Sequence, residues 1–486
     1  MSINEEDEKY FSQPEFRDLL ARYEEAVCRG ESIYMDADEL TDIAEYYMTQ
    51  ERERDADQAI SLALALHPDS VDPQVFLARK QLFLGNTEEA WRISRSIVDQ
   101  EDREVKFLNA EILIKEERGR EAVVYLLHVY RTLDGERDHF LYDSAGLFMD
   151  YGQWEYAMMW VNRLERLFPD YFRLKRMKAE LLVCLGRYDE AIVMLNEILD
   201  ENPYHKDVWN LLAESQGATE RFAEAIDSAE YVLAIDKDDR RALATKASCL
   251  FHMNQPQKAH ELYEKYLQDD SEDANVLYLD AVCLASLGHY ADAVKQVDHA
   301  LNVCSSESPQ YVHMLLEKAY VESKLHRADK ALEAIAFAES LRMDDMDCEY
   351  SLLRGQVLLE NGFDDEAVES FTKALRASKT KRNTLMIIGI AYGEAGHYGE
   401  AIQMMLNVQD KFPDTDDGAS PLPYLAYYYY QTGDKITSLA YLQKAAEADR
   451  QSTEQLFGSI YPGVAPDEYY LYAYRDLHGH FPDIGK

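Results

Sequence analysis

Apolar and polar positions follow one another along most of the chain with the spacing of short amphipathic helices. In residues 206–239, DVWNLLAESQGA spaces its apolar residues at helical intervals, ATER interrupts the stripe, and FAEAIDSAEYVLAID carries a second one. Pro169 and Pro203 fall where such a second helix has to end. The pattern predicts pairs of helices joined by a short turn.

This two-helix pattern recurs with a period close to 34 residues. GRYDEAIVMLNEILDENP at 186–203 returns as GFDDEAVESFTKAL at 362–375 and as GHYGEAI at 396–402. An alanine marks the same place in each second helix. These marker alanines stand 34 residues apart at Ala157, Ala191, Ala225, Ala259 and Ala293, and the series continues less evenly through Ala59, Ala90 and Ala122 before and Ala331, Ala367 and Ala401 after. Self-similarity at a fixed period predicts a repeat solenoid.

The repeat resembles the tetratricopeptide repeat (TPR), whose signature is W-x2-L-G-x2-Y, then A-x3-F, then P. One unit matches the signature by residue class at Leu385, Ile388, Gly389, Tyr392, Ala401, Met405 and Pro413. The resemblance implies an all-α fold, a right-handed superhelical α-solenoid of stacked helix-turn-helix (TPR) repeats. We predict about twelve repeats over roughly residues 40–452, most regular at 138–307 and 348–415 and least regular at 40–137 and 308–347.

Small residues occupy the place where the two helices of each pair would cross. Gly355 and Gly389 hold it on two first helices, and Ala179, Ala213, Ala247 and Ala281 hold it on others. A side chain no larger than a methyl group lets the backbones approach closely, and stacked pairs then bury one another's apolar faces.

Two segments lie outside the predicted array. Residues 1–39 are predicted to form an N-terminal helical cap, and residues 453–486 a C-terminal aromatic helical cap or a docking tail, because the ends of a solenoid must cover their apolar faces. Neither segment reaches the roughly 100 residues of a usual catalytic domain. The sequence contains no phosphate-binding loop, nucleophile elbow or H-E-x-x-H motif. We therefore predict a non-enzymatic protein with no catalytic residue, metal site or cofactor.

The chain is strongly acidic, with 50 Lys and Arg residues against 91 Asp and Glu residues and a net charge of −41. Such a surface repels nucleic acids and anionic lipids and attracts basic proteins or peptides. The sequence shows no signal peptide and no apolar stretch long enough for membrane insertion. Its six cysteines are scattered without a C-x-x-C pair, which is typical of reduced thiols. These features predict a cytoplasmic protein that does not bind nucleic acid.

The TPR resemblance implies that the first helix of each repeat lines a concave groove for a partner peptide. The sequence lacks the order of Lys, Asn and Arg residues by which the carboxylate clamp of the family holds chaperone tails. Tyrosines and charged residues occupy the expected stripe instead, and a tyrosine offers a large contact area with a polar tip. The candidate partner-binding residues are Tyr142, Asp143, Arg173, Arg176, Asn210, Glu214, Arg241, Tyr278, Tyr320, Tyr424, Tyr427 and Tyr430.

Two functions remain open on the sequence. The first is a protein–protein interaction scaffold or adaptor, whose groove binds a protein or peptide with basic and apolar or aromatic residues. The second is a structural or self-assembling protein, whose groove is filled by its own tail or by a second subunit, so that a homo-oligomer is possible. The aromatic run DEYYLYAYRDLHGHFPD keeps the second function open.

Overall fold

A computed structural model describes residues 10–29, 33–133, 135–171, 173–268, 272–341, 346–412 and 419–482. Within these ranges the chain forms 27 α-helices and one 3₁₀ turn and contains no strand. It divides into two compact units, Met1–Ile235 and Asp236–Lys486. Pro413 and the outermost residues of both predicted caps lie outside the described residues. Among the helices described, none combines the length and the apolar character needed to cross a lipid bilayer.

In its described residues, unit 1 contains one single helix followed by six helix pairs. The single helix is α1 (Pro14–Arg29). Pairs 1 to 6 are α2 (Ala37–Thr49) with α3 (Glu53–Leu66), α4 (Val71–Phe83) with α5 (Thr87–Ser96), α6 (Arg103–Lys115) with α7 (Gly119–Thr132), α8 (Arg137–Asp150) with α9 (Trp154–Leu167), α10 (Leu174–Cys184) with α11 (Tyr188–Glu201), and α12 (Lys206–Ala218) with α13 (Phe222–Ile235).

Unit 2 contains, over the part described, six further pairs and a C-terminal segment. Pairs 7 to 12 are α14 (Arg240–His252) with α15 (Pro256–Tyr266), α16 (Ala274–Ser286) with α17 (Tyr290–Val303), α18 (Pro309–Lys324) with α19 (Ala328–Ser340), α20 (Asp347–Glu360) with α21 (Asp364–Ala377), α22 (Lys381–Glu394) with α23 (Tyr398–Lys411), and α24 (Pro421–Gln431) with α25 (Lys435–Ala448). The segment contains α26 (Arg450–Phe457), the 3₁₀ turn Pro466–Glu468 and α27 (Tyr469–His478).

These twelve pairs confirm the all-α repeat fold and the predicted number of repeats. They run from Ala37 to Ala448, so the array begins and ends a few residues earlier than predicted. The long step of 38 residues between Ala293 and Ala331 has a simple cause. Helix α18 has 16 residues, whereas the other first helices described have 11 to 14, and the extra turn shifts the pattern.

Each second helix packs against the first helix of its own pair and against the next first helix in the same unit. The marker alanines lie at these tight crossings, and all eleven of them are fully buried. In pair 12 the place is taken by Ser438, whose hydroxyl donates a hydrogen bond of 2.7 Å to the Ala426 carbonyl. Serine fits there because it is nearly as small as alanine and its buried polar atom finds a local acceptor.

Close helix approach at the predicted glycines is confirmed by the space around them. A Cβ atom at Gly355 of α20 would lie 2.5 Å from the ring of Phe371 in α21. At Gly389 of α22, a Cβ atom would lie 2.8 Å from the terminal methyl of Met405 in α23. In both pairs a larger residue on the first helix would displace a side chain of the second.

Gly355→Ala is expected to lower the free energy of unfolding by roughly 1–3 kcal/mol, because the Phe371 ring that must move is itself buried. Gly399→Ala is the matched control, since Gly399 lies in α23 with open space around the position of its Cβ. Alanine favours a helix over glycine by up to about 1 kcal/mol, so the control should be neutral or stabilising. Urea unfolding measures both variants, and equal midpoints would contradict the crossing assigned here.

The turn inside every pair contains one residue in the left-handed conformation, with φ between 57° and 86°. Seven are glycines (Gly85, Gly152, Gly186, Gly288, Gly362, Gly396 and Gly433), and five are not (Glu51, Glu117, Glu220, Asn254 and His326). In eleven of these turns the next backbone N–H donates to the carbonyl five residues earlier, as Arg187 does to Leu182 at 2.9 Å. A glycine favours this helix ending, which explains the glycine that opens GRYDEAI and its relatives.

Both terminal segments bury aromatic side chains against the neighbouring pair. Phe16 and Tyr23 of α1 lie in a buried cluster with side chains of pair 1. Phe457, Tyr461 and Tyr469 lie in a buried cluster with side chains of pair 12. These contacts agree with the predicted caps, and the division of the chain into caps and array stays a prediction.

Candidate functional site

First helices of most successive pairs contact one another within each unit, and the face that they share is here called the first-helix surface. The candidate residues lie on first helices, except Arg173, which immediately precedes α10. They fall in both units, and each unit is described by itself.

An acidic cavity of about 200 Å³ lies on the first-helix surface of unit 1, among α2, α4 and the start of α6. It is lined by Asp38, Thr41, Asp42, Glu45, Asp72, Val75, Phe76, Arg79 and Glu104. Asp38, Asp72 and Glu104 are each the second residue of their helix, where the helix dipole favours a carboxylate. Three consecutive pairs therefore bring a carboxylate to the same cavity.

The basic side chain of the cavity, Arg79, is already matched by two carboxylates of α6. Its Nε lies 2.9 Å from Glu111, and its second guanidinium nitrogen lies 2.9 Å from Glu104. The Asp42 carboxylate accepts a hydrogen bond of 2.6 Å from the Tyr10 hydroxyl, which brings no positive charge. The lining of the cavity therefore contains five carboxyl groups and one guanidinium group.

Asp72 is an acid of the cavity with a strongly raised pKa. Burial and a hydrogen bond with Asp38 raise the pKa of Asp72 to about 6, and the charge of Glu104 adds to this effect. Two neighbouring carboxyl groups resist full ionisation because their charges repel, and a cation between them would relieve the repulsion. No group of three or more acidic, His or Cys side chains in the described part of the chain is arranged to hold a metal ion.

Tyr142 of α8 lies among aromatic and charged groups further along unit 1. Its ring centre lies 5.4 Å from that of Tyr171, and the Arg173 guanidinium lies 5.6 Å from the Tyr142 ring. Burial raises the pKa of Tyr142 to about 12, and the negative charge of Glu180 contributes to the shift. The structure therefore brings two sequence-predicted residues, Tyr142 and Arg173, into contact.

Two charged candidates of this region are held by ion pairs. The Asp143 carboxylate pairs with Arg103 of α6. Burial raises the pKa of Asp143, and the positive charge of Arg103 opposes that shift. The Nε atom of Arg176 lies 2.8 Å from Oε1 of Glu180. A partner at these positions would have to bridge existing pairs or compete with them.

Candidates of pairs 6 and 7 differ in exposure. Asn210 of α12 is buried, Glu214 is half-buried, and Arg241 near the start of α14 is exposed. The three arginine candidates divide between the units, because Arg173 and Arg176 belong to unit 1 and Arg241 belongs to unit 2.

Lys324 connects three first helices of unit 2. Its Nζ lies 2.6 Å from Glu360 of α20 and 3.4 Å from Glu394 of α22. The same ammonium group lies 5.3 Å from the ring centre of Tyr320, which is 36% exposed. Tyr278, on α16, is half-buried.

The three tyrosine candidates of α24 lie next to other aromatic rings. The Phe457 ring centre lies 5.8 Å from Tyr427 and 6.2 Å from Tyr430. Tyr424 lies 6.3 Å from Tyr428 on its own helix. Part of this stripe therefore packs against the chain's own C-terminal segment and is less open to a partner than its position implies.

Sequence reasoning missed the acidic cavity and the Lys324 pairs. Asp72 lies where the repeat pattern is least regular and Asp38 lies in the predicted N-terminal cap, so their shared place at the start of a helix was not visible. The signal was a carboxylate as the second residue of α2, α4 and α6, and reading it requires the helix starts. Lys324 ends the lengthened helix α18, whose register was equally irregular.

Two family profiles match the middle of the chain. The family described as "Tetratricopeptide repeat" matches residues 182–249, and "Anaphase-promoting complex, cyclosome, subunit 3" matches residues 218–300. The chain is a tetratricopeptide repeat protein. In this TPR protein the matched segments fall within pairs 5 to 8, which belong to the most regular part of the repeat.

The TPR protein is similar to lipopolysaccharide assembly protein B of Escherichia coli strain K12, with 24% identity over 353 residues, 68% of this chain and 83% of that protein. It is also similar to DnaJ homolog subfamily C member 7 of Homo sapiens, with 24% identity over 229 residues, 47% of this chain and 41% of that protein. Among solved structures, yeast Tom70 matches with 15% identity and a TM-score of 0.41, covering 91% of this chain and 98% of that chain. The similarity to TPR proteins supports a protein-interaction scaffold as the general type of protein.

Proposed function

We propose that this TPR protein is a cytoplasmic, non-enzymatic scaffold or adaptor that binds a partner protein or peptide on its first-helix surfaces. The acidic cavity of unit 1 carries the proposal, because five carboxylates and a single arginine line it. The partner contributes a lysine or arginine side chain to this cavity and apolar or aromatic residues to the neighbouring face.

Charge and aromatic content support this assignment. A net charge of −41 attracts basic partners over a long range, and salt screens that attraction. The half-buried ring of Tyr142 offers contact area on the same unit. The self-assembly alternative is supported by Phe457, whose ring packs against the rings of Tyr427 and Tyr430. Because these contacts cover part of the first-helix surface at pair 12, we propose that the partner binds to unit 1.

Asp72→Asn is expected to weaken partner binding about tenfold, because it removes one charge of the carboxyl pair that a basic side chain would join. The partner is first identified by crosslinking in native lysate and then titrated against purified variants by calorimetry. Asp69→Asn is the matched control, since it makes the same charge change three residues away at an exposed turn. Equal affinities of the two variants would refute binding at the cavity.

The same substitution is expected to stabilise unit 1 by about 1 kcal/mol at neutral pH, after discounting for solvent screening. The pKa of Asp72 is about 6 in the folded chain against an ordinary value of 3.8. Ionisation of Asp72 therefore lowers the free energy of unfolding by its full amount above about pH 6. Below about pH 4 this loss disappears, because the carboxyl group is protonated in both the folded and the unfolded chain. Unfolding curves should show that the stability gained by Asp72→Asn decreases as the pH falls from about 6 to about 4. A gain independent of pH would show that the carboxyl pair is not its cause.

A further inference from the structure

Arg137 and Arg163 of unit 1 converge on one buried ring, that of Tyr130 near the end of α7. The Arg137 guanidinium, at the start of α8, lies 5.5 Å from the ring centre, and the Arg163 guanidinium of α9 lies 5.0 Å from it. Two further arginines flank them, since Arg131 directly follows Tyr130 in the chain and Arg166 lies one helical turn after Arg163. The four arginines are here called the arginine surface.

The arginine surface has no carboxylate partner among the described residues of the chain. The acids that neighbour it in the sequence pair with other cations. Glu165 of α9 lies 2.7 Å from Nζ of Lys178 in α10, and Glu136, directly before α8, lies 3.4 Å from Arg103 of α6. The positive charge of the surface is therefore not neutralised by its nearest acids.

Other exposed arginines of unit 1 are treated differently. Arg118 pairs with Glu121 at 2.8 Å, and Arg187 pairs with Glu190 at 2.7 Å, in each case three residues further along the chain. The chain has 91 acidic residues, so such partners are common along it. Arginines without an acid are thus a particular property of the arginine surface.

One polar atom of this surface points to a ligand. The Nε–H group of Arg163 is buried and makes no hydrogen bond with any described residue. Buried donors in folded proteins are nearly always paired, so this one requires an acceptor from outside the chain. The planar guanidinium group matches the oxygens of a carboxylate or a phosphate, with which it forms strong charge-assisted hydrogen bonds.

We infer that the arginine surface binds an acidic segment of another protein, whose carboxylate or phosphate oxygens contact Arg137 and Arg163. Both guanidinium groups lie beside the same ring, so one short segment can reach them together. A net charge of −41 repels such a segment from most of the molecule, which makes this surface the favourable place for it. Three of the four arginines lie on second helices and the ligand is acidic, so the site is independent of the proposed first-helix surface.

Three fluorescein-labelled decapeptides test the site on the full-length chain. They share Gly and Ser flanks, and their central residues are four glutamates, four glutamines, or two phosphoserines between two glutamines, which carry a charge similar to that of the glutamates. Anisotropy is measured at physiological ionic strength, which screens repulsion by the rest of the surface. We expect the glutamate peptide to bind about tenfold more tightly than the glutamine peptide, and Arg137→Gln/Arg163→Gln to bring the two affinities close together.

Arg118→Gln/Arg187→Gln is the matched control, because it removes the same charge from unit 1 at arginines that already have acidic partners. Arg131→Gln/Arg166→Gln should also reduce the glutamate preference. Both of its residues are exposed, and the arginines packed on Tyr130 stay in place. Unfolding midpoints equal to that of the original chain verify that the variants are folded.

A glutamate preference that survives Arg137→Gln/Arg163→Gln, or that falls equally in the control variant, overturns the inference. The phosphoserine peptide identifies the source of the oxygens, because tighter binding of either acidic peptide supports the site and names its preferred group. A ten-nucleotide thymidine oligomer that binds more tightly than both acidic peptides overturns the assignment to a protein segment. Asp72→Asn should leave the preference unchanged, and a preference that depends on Asp72 would overturn the site in favour of the unit 1 cavity.

Discussion

Replacing Glu51, Glu117 and Glu220 together by glycine is expected to raise the free energy of unfolding of unit 1 by about 2–3 kcal/mol. The three glutamates have φ values of 57°, 61° and 61°, which crowd the Cβ atom of an L-residue against its own backbone. Their side chains are exposed, so the substitutions remove little packing. Glycine relieves the strain and keeps the backbone hydrogen bond that closes each turn.

Chemical denaturation of the triple variant measures this gain. Gln50→Gly is the control, because Gln50 lies in the same turn as Glu51 with an ordinary φ of −93°. Glycine there should destabilise the chain by roughly 0.5–1 kcal/mol. Asn254→Gly in unit 2 should raise the free energy of unfolding by less than one of the glutamate-to-glycine substitutions does, since asparagine tolerates the left-handed region. A triple variant no more stable than the original chain would show that the strain is absorbed elsewhere.

Asp280→Ala is expected to lower the free energy of unfolding of unit 2 by about 3 kcal/mol, because it breaks a polar network around a fully buried acid. Asp280 of α16 is completely inaccessible to solvent. Its carboxylate accepts a hydrogen bond from His260 Nδ1 at 2.5 Å and another from Gln296 Nε2 at 2.7 Å. Removing the acid leaves both partly buried donors without their acceptor, and unpaired buried polar groups are costly.

Thermal and urea unfolding of Asp280→Ala give the size of the loss. Asp280→Asn should cost less, since the amide oxygen still accepts one of the two bonds. Asp292→Ala is the surface control, because Asp292 is exposed and forms an ion pair with the exposed Lys295. That control should change the free energy of unfolding by less than about 0.5 kcal/mol. An equal and small effect of all three substitutions would mean that the network contributes little.

The fold could largely be predicted from the sequence, because each repeat places the same kinds of residue at its helix crossings. Ala225 and its equivalents have to be small, so their spacing revealed the period. Ser438 was missed in pair 12 because the marker was defined as alanine, although size was the property that mattered. The left-handed residue of each turn was not predicted; a glycine is a sequence signal for that conformation, whereas Glu117 gives no such signal.

The candidate site was much less predictable, because it depends on which charges meet across different pairs. The sequence contains Lys318, Lys324 and Glu317 close together, but nothing in it indicates that both lysines turn to other acids. The contact of Phe457 with Tyr427 likewise depends on how the chain folds back after α25. Helix periodicity fixes which face a residue occupies, whereas its partner is set by neighbouring helices.

Helix α26 contacts α24 and α25, as the first helix of a further pair would, and Phe457 and Tyr469 complete the covering of that face. Repeat arrays grow and shrink through duplication and loss of whole units. A unit added behind pair 12 would find its stacking surface occupied and would have to displace this aromatic segment. A pair inserted inside the array would instead pack between two repeats, as the pairs of each unit already do.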